Sequence, residues 1–169
     1  MVARRLPDRL CRLRRPLSDE ARLYVAAPDR EGERRLTNEC RLDGTDGDDF
    51  LRGSVDDDLV YGLAGNDRIE ALYGADRLDA GEGNDVVRGD QGPDLIIGGP
   101  GNDRLDGDMG ADVLVGGPGR DRISGGHGID RIGARDGAVD RITCGSHRDV
   151  VIADRRDRVA RDCERVRRA

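Results

Sequence analysis

The sequence predicts an all-β solenoid, a chain wound in short coils with one strand and one turn in every nine residues. Three observations lead there. From Gly44 to Gly133 the chain divides into ten blocks of nine residues with no insertion or deletion. The sixth position of every block is Asp and the eighth is always Leu, Ile or Val. The fourth position is Gly in nine blocks, with Asp56 the one exception. So short a period marks stacked units, each of which closes its core only against its neighbours.

The strand of each block is set by its eighth position: Leu51, Val60, Ile69, Leu78, Val87, Ile96, Leu105, Leu114, Ile123 and Ile132. One buried aliphatic flanked by polar or exposed neighbours is what a three-residue strand over positions 7 to 9 requires. Positions 1 to 6 form the turn, which Asp closes: Asp49, Asp58, Asp67, Asp76, Asp85, Asp94, Asp103, Asp112, Asp121 and Asp130. A second period of eighteen overlies the first, because Gly-Asn-Asp recurs at 65–67, 83–85 and 101–103. Alternate blocks are therefore equivalent, and two blocks make one coil.

Composition excludes an ordinary globular core. Aromatic residues are 2% of the chain, Trp is absent and Gly numbers 25. The net charge of −6 hides a segregation: residues 43–133 hold 21 acids against eight Arg, whereas residues 1–35 hold ten Arg against six acids. Acid concentrated in a glycine-rich centre points to a cation site. No apolar run approaches the 18 residues of a membrane span. The basic stretch Met1 to Pro16 is not followed by the apolar region of a signal peptide.

The blocks resemble the repeats-in-toxin (RTX) nonapeptide of hemolysin-type calcium-binding proteins, Gly-Gly-x-Gly-x-Asp-x-aliphatic-x. The best copies begin Gly98-Gly99-Pro100-Gly101-Asn102-Asp103 and Gly116-Gly117-Pro118-Gly119-Arg120-Asp121. The resemblance implies a right-handed parallel β-roll, with Ca2+ held between turns stacked along one edge. It assigns as metal ligands the ten aspartates from Asp49 to Asp130 and the turn glycines Gly81, Gly83, Gly99, Gly101, Gly117 and Gly119. It pairs Asp67 with Asp85, and Asp85 with Asp103, across one strand spacing of about 4.8 Å. Calcium takes six to eight oxygens from carboxylates and carbonyls, and glycine-rich turns can aim several carbonyls at one point. With so thin a core and so much like charge, the metal is expected to decide whether this region folds.

Asp56 is expected to distort its site, and Leu63, Ala71 and Leu72 replace leading glycines. The strongest sites are accordingly placed between about residues 81 and 130. Past Gly133 the pattern continues as Asp140-Arg141-Ile142, Asp149-Val150-Val151, Asp157-Arg158-Val159 and Glu164-Arg165-Val166. These read as capping coils with shrinking turns that no longer bind calcium. Cys144 and Cys163 bracket the cap and are a disulfide candidate, suited to an oxidising compartment. The expected organisation is a basic, partly disordered segment 1–35, a calcium-binding roll 36–133 and a cap 134–169. Cys40-Arg41-Leu42 forms a half repeat, and Leu23-Tyr24-Val25 is a possible covering strand.

Catalysis has little support. His127 lies in a turn, Ser146 beside His147 is simple adjacency, and no HExxH motif is present. An EF-hand loop starting at Asp43 fails, since its twelfth residue is Ser54. The Arg-rich ends lack the aromatic residues of a nucleic-acid interface, so no nucleic-acid partner is expected. The expected function is calcium binding by an extracellular, non-catalytic structural protein. The alternative is an adhesive or partner-binding module, or a non-catalytic accessory of a secreted toxin or hydrolase. Arg68, Arg77, Arg104, Arg122 and Arg131, all at position 7, would face such a partner.

Overall fold

A computed structural model describes residues 40–168. The basic segment 1–35, the Leu23-Tyr24-Val25 strand and any pairing of Cys11 with Cys40 lie outside the described residues. Strands, numbered in chain order, alternate between two sheets. One sheet holds β1 (Cys40–Asp43), β3 (Asp58–Tyr61), β5 (Arg77–Asp79), β7 (Leu95–Ile97), β9 (Val113–Val115), β11 (Arg131–Ala134), β13 (Val150–Ala153) and β15 (Arg165–Arg168). The other holds β2 (Phe50–Arg52), β4 (Arg68–Glu70), β6 (Val86–Arg88), β8 (Arg104–Asp106), β10 (Arg122–His127), β12 (Arg141–Ser146) and β14 (Arg158–Val159).

All pairing is parallel, and each strand lies beside the one two blocks away in sequence. Leu51 aligns with Ile69, Ile69 with Val87, and Val87 with Leu105, steps of eighteen residues. The chain is thus a β-solenoid of about seven coils, a parallel β-roll. Parallel strands cannot be joined by a tight hairpin. Here the six-residue turns carry the chain across to the opposite sheet, and the next turn brings it back.

Each strand from β1 to β13 sends one aliphatic side chain inward. The column runs from Leu42 through Ile142 to Val151, and every member is at most 2% exposed. Ala71, Ala80, Ala134, Cys144 and Ala153 fill the space beside it. The core is therefore one side chain wide on each sheet. Among the described residues no helix is long and apolar enough to cross a membrane.

One feature differs from the sequence reading. The weak blocks keep the common turn: Leu63 and Leu72, at position 2, adopt φ of 80° and 83°, close to the 99° of Gly81, Gly99 and Gly117. Stacking on both sides imposes a left-handed conformation that leucine disfavours by about 1–2 kcal/mol. The sheets continue past Gly133 without a break. The register step becomes nineteen between Arg122 and Arg141, seventeen between Arg141 and Arg158, and fifteen between Val150 and Arg165. One extra residue after Gly133 lengthens the first step, and the shortening turns of the last coils account for the other two.

Candidate metal centre

The turns form two edges of the roll. One edge stacks Asp49, Asp67, Asp85, Asp103, Asp121, Asp140 and Asp157, and the other stacks Asp58, Asp76, Asp94, Asp112, Asp130 and Asp149. Every one of these side chains is buried, at 6% exposure or less. Along each edge the backbone N–H of one Asp donates to Oδ1 of the Asp one coil later. The distances are 2.7 Å from Asp67 to Asp85, 2.9 Å from Asp85 to Asp103 and 2.9 Å from Asp103 to Asp121. The other edge repeats this from Asp58 to Asp76 and onward to Asp149.

The second carboxylate oxygen separates the ends from the middle. In Asp67, Asp76, Asp85, Asp94, Asp103, Asp112, Asp121, Asp130, Asp140 and Asp149, Oδ2 is buried and receives no hydrogen bond. In Asp49 it accepts the N–H and hydroxyl of Thr45, at 2.6 and 2.8 Å. In Asp58 it accepts the N–H of Ser54, and in Asp157 the N–H of Asp154, both at 2.6 Å. The run of donor-less oxygens is thus bracketed by turns that supply their own donors.

Burial without a donor resists ionisation. Desolvation is the largest influence in each case, partly offset by the N–H bond from the neighbouring Asp or, at Asp58, by bonds from Ser54. It pushes Asp94 up to about 8, and Asp76 and Asp112 up to about 7. Asp67, Asp103, Asp121 and Asp140 rise to about 6, and Asp58, Asp85, Asp130 and Asp149 shift in the same direction. A buried oxygen that is costly to charge and has no proton donor is the condition a cation relieves.

The donor set fits a hard cation. Beside Oδ2 of Asp67, Asp94, Asp103, Asp112, Asp121 and Asp130 runs the backbone of the leading glycine of the turn. A Cβ placed at Gly98 would lie 2.5 Å from both Asp103 Oδ2 and the Gly116 carbonyl oxygen. At Gly107 the corresponding atoms are Asp112 Oδ2 and the Gly125 carbonyl, again at 2.5 Å. A carboxylate oxygen and a carbonyl from the next coil therefore face one small space. Among the described residues no three His, Cys, Asp or Glu side chains cluster as a metal site, so a bound cation must draw on backbone oxygens as well. That is calcium's habit rather than zinc's.

The glycines assigned as ligands stand where the coils approach most closely. Gly81, Gly99 and Gly117 take φ of 99°, and a Cβ on Gly83, Gly101 or Gly119 would strike the carbonyl of the glycine one coil earlier. Asp56 does not take a positive φ, and its N–H donates to Ser54 Oγ at 3.1 Å. The sequence reading ends the cation run at residue 133, but Asp140 and Asp149 carry the same buried oxygen. Their Asp-x-aliphatic spacing was the available signal, obscured by missing glycines. His147 occupies the position-4 place of the Asp149 turn with φ of 85°.

Elsewhere, Cys144 and Cys163 are bonded, with their Cα atoms 5.1 Å apart. His127 Nδ1 lies 2.8 Å from Ser146 Oγ, which lies 3.1 Å from His147 Nδ1. Among the described residues no hydrogen bond joins either imidazole to a carboxylate. The position-7 arginines do not share a face: Arg68, Arg104 and Arg122 lie on the seven-stranded sheet, Arg77 and Arg131 on the eight-stranded one.

Stacked turns with a buried carboxylate at each step define a metal-binding parallel β-roll. The sequence model of the RTX calcium-binding nonapeptide repeat matches residues 41–69, 61–96, 70–105, 79–114 and 106–138. These matches cover more than half of the chain, which belongs to the RTX calcium-binding repeat family. It is a calcium-binding repeat protein. No curated protein matches it significantly.

Proposed function

We propose that the chain is a secreted, non-catalytic scaffold whose roll is ordered by calcium. The ten buried Oδ2 atoms without a donor carry this reading. Each would be held at a calcium ion together with carbonyls of its own turn and the next, the ion supplying the positive charge that the fold otherwise lacks. Asp67 through Asp149 form the ligand series. Asp49 and Asp58, already satisfied by Thr45 and Ser54, stand outside it. The disulfide supports an oxidising compartment. The buried carboxylates repeat too regularly to be acid–base pairs, which supports a structural role.

Circular dichroism tests the reading. In calcium-free buffer at neutral pH the protein should be mostly coil, and millimolar calcium should restore β structure. Magnesium should substitute poorly, because it demands a regular octahedral shell and gives up water reluctantly. An unchanged β spectrum after calcium removal overturns it.

A further inference from the structure

We propose that the outer face of the seven-stranded sheet, over its last four strands, binds an unbranched acidic polysaccharide with carboxylates on successive sugars. In β8, β10, β12 and β14 the outward position 7 is Arg104, Arg122, Arg141 and Arg158. The register sets them directly opposite one another: Arg122 aligns with Arg104 and with Arg141, and Arg141 with Arg158. Like charges directly opposite on neighbouring strands disfavour a sheet. Three such pairings in succession make sense where an anion lies across them.

The arginines at the other end of this sheet are already engaged. Arg68 bonds Glu70 at 2.7 Å and lies over the Phe50 ring, and Arg52 approaches Glu70 at 4.0 Å. Among the described residues Arg104, Arg120, Arg122, Arg141 and Arg158 have no ion pair. All five line one groove of about 510 Å³, together with Asn102, Val139 and the buried Asp103 and Asp121, so five arginines outnumber two carboxylates there. On the opposite sheet the position-7 arginines stand apart: Arg77 lies between Leu59 and Leu95, and Arg131 between Val113 and Val150.

The occupant follows from the layout. The four arginines share one register position on successive strands, so the row runs along the roll axis and advances by one strand spacing, about 4.8 Å per residue. An extended polymer with a carboxylate on each unit can follow such a row, and the guanidinium fork pairs with carboxylate through two hydrogen bonds. Asn102 and Arg120 flank the row and can bond sugar hydroxyls. No aromatic side chain lines the groove, so nucleotide bases would have nothing to stack on. The site rests on the calcium-ordered roll, since only coil stacking brings these arginines together.

The test uses calcium-saturated full-length protein, with circular dichroism recorded on every sample. Calorimetric titration with a uronic acid hexasaccharide should show binding that weakens with salt. Arg122→Gln with Arg141→Gln should reduce the affinity at least tenfold, whereas Arg77→Gln with Arg131→Gln should leave it unchanged. Neutral glucose hexasaccharide should not bind. No binding by folded wild type overturns the proposal, as does equal binding by the R122Q/R141Q variant. Tighter binding of oligothymidylate than of the uronate also overturns it, in favour of a nucleic-acid surface. If dichroism shows the roll folded without calcium while arginine-dependent binding persists, the calcium reading fails and this one stands.

Discussion

Asp103 and Asp121 are eighteen residues apart in sequence and joined by one hydrogen bond, from the Asp103 N–H to Asp121 Oδ1 at 2.9 Å. Asp103 in turn accepts from Asp85 at the same distance. Each carboxylate therefore uses one oxygen to fix its neighbour's backbone and keeps the other for the space between turns.

Because Asp103 serves the coil on either side, Asp103→Ala should lower calcium stoichiometry by about two ions. Asp58→Ala should lower it by none, since Ser54 already occupies its Oδ2. Calorimetric calcium titration of both variants measures this. Loss of a single ion from the Asp103 variant would show that each turn binds alone.

The metal-free roll should be stabilised by acid. Its buried aspartates hold protons up to about 6 in Asp103 and Asp121, about 7 in Asp76 and Asp112, and about 8 in Asp94, against an ordinary value of 3.8. Between about 4 and 8 the folded state therefore binds more protons than the unfolded chain. That contribution is complete below pH 4 and is lost as pH rises through 6 to 8. In calcium-free buffer, β structure should increase on acidification from pH 8 to pH 5, and calcium binding at pH 7 should release protons. Equal or greater unfolding at pH 5 contradicts the assignment of these shifts to burial.

The coils were legible in the sequence because one aliphatic and one Asp per nine residues leave no choice of register. The Gly-Asn-Asp recurrence also has a physical basis. Asn84 donates its N–H and side-chain amide to Asn66 Oδ1, at 3.0 and 3.1 Å, and Asn102 does the same to Asn84. That ladder stands on one edge only, which is why the recurrence has a period of eighteen. Less legible was the fate of Oδ2. The backbone N–H at position 2, four residues before Asp, reaches Oδ2 in the turns of Thr45 and Ser54 but not in the following ones, and no column pattern reports this. The division of the position-7 arginines between two faces follows from strand alternation. The unbroken Arg104–Arg158 row does not, because it depends on register shifts after residue 133.

Leu72 is held at φ 83°, where glycine carries no steric penalty. Leu72→Gly should stabilise the calcium-loaded protein by up to about 1 kcal/mol, once the added freedom of the unfolded chain is subtracted, and so raise its thermal midpoint. The opposite change at the matching place, Gly81→Leu, should lower it. Differential scanning calorimetry of both variants reads the sign directly.

The Cys144–Cys163 bond closes a segment with a sequence separation of 19 and ties β12 to the last turn. Its loss should cost about 3 kcal/mol for a loop of this size. Non-reducing peptide mapping should recover the two cysteine peptides joined. Cys144→Ser with Cys163→Ser should unfold at lower denaturant than the wild type.

Where the cation series stops can be decided within the last two coils. Asp149 has a buried Oδ2 without a donor, in a turn whose Gly145 and His147 take φ of 95° and 85°. Asp157, one turn later, spends both oxygens, accepting from Asp140 at 3.1 Å and from Asp154 at 2.6 Å. Asp149→Ala should therefore remove calcium from the roll, whereas Asp157→Ala should destabilise the end without changing the ion count. Asp149→Asn separates charge from shape: the amide can still accept from the Asp130 N–H but brings no negative charge to the ion. It should keep the strand pairing while weakening the last site. If Asp149→Ala and Asp149→Asn both titrate with the wild-type number of ions, the series on this edge ends at Asp130. The buried Oδ2 would then be tolerated in the cap as a protonated carboxyl.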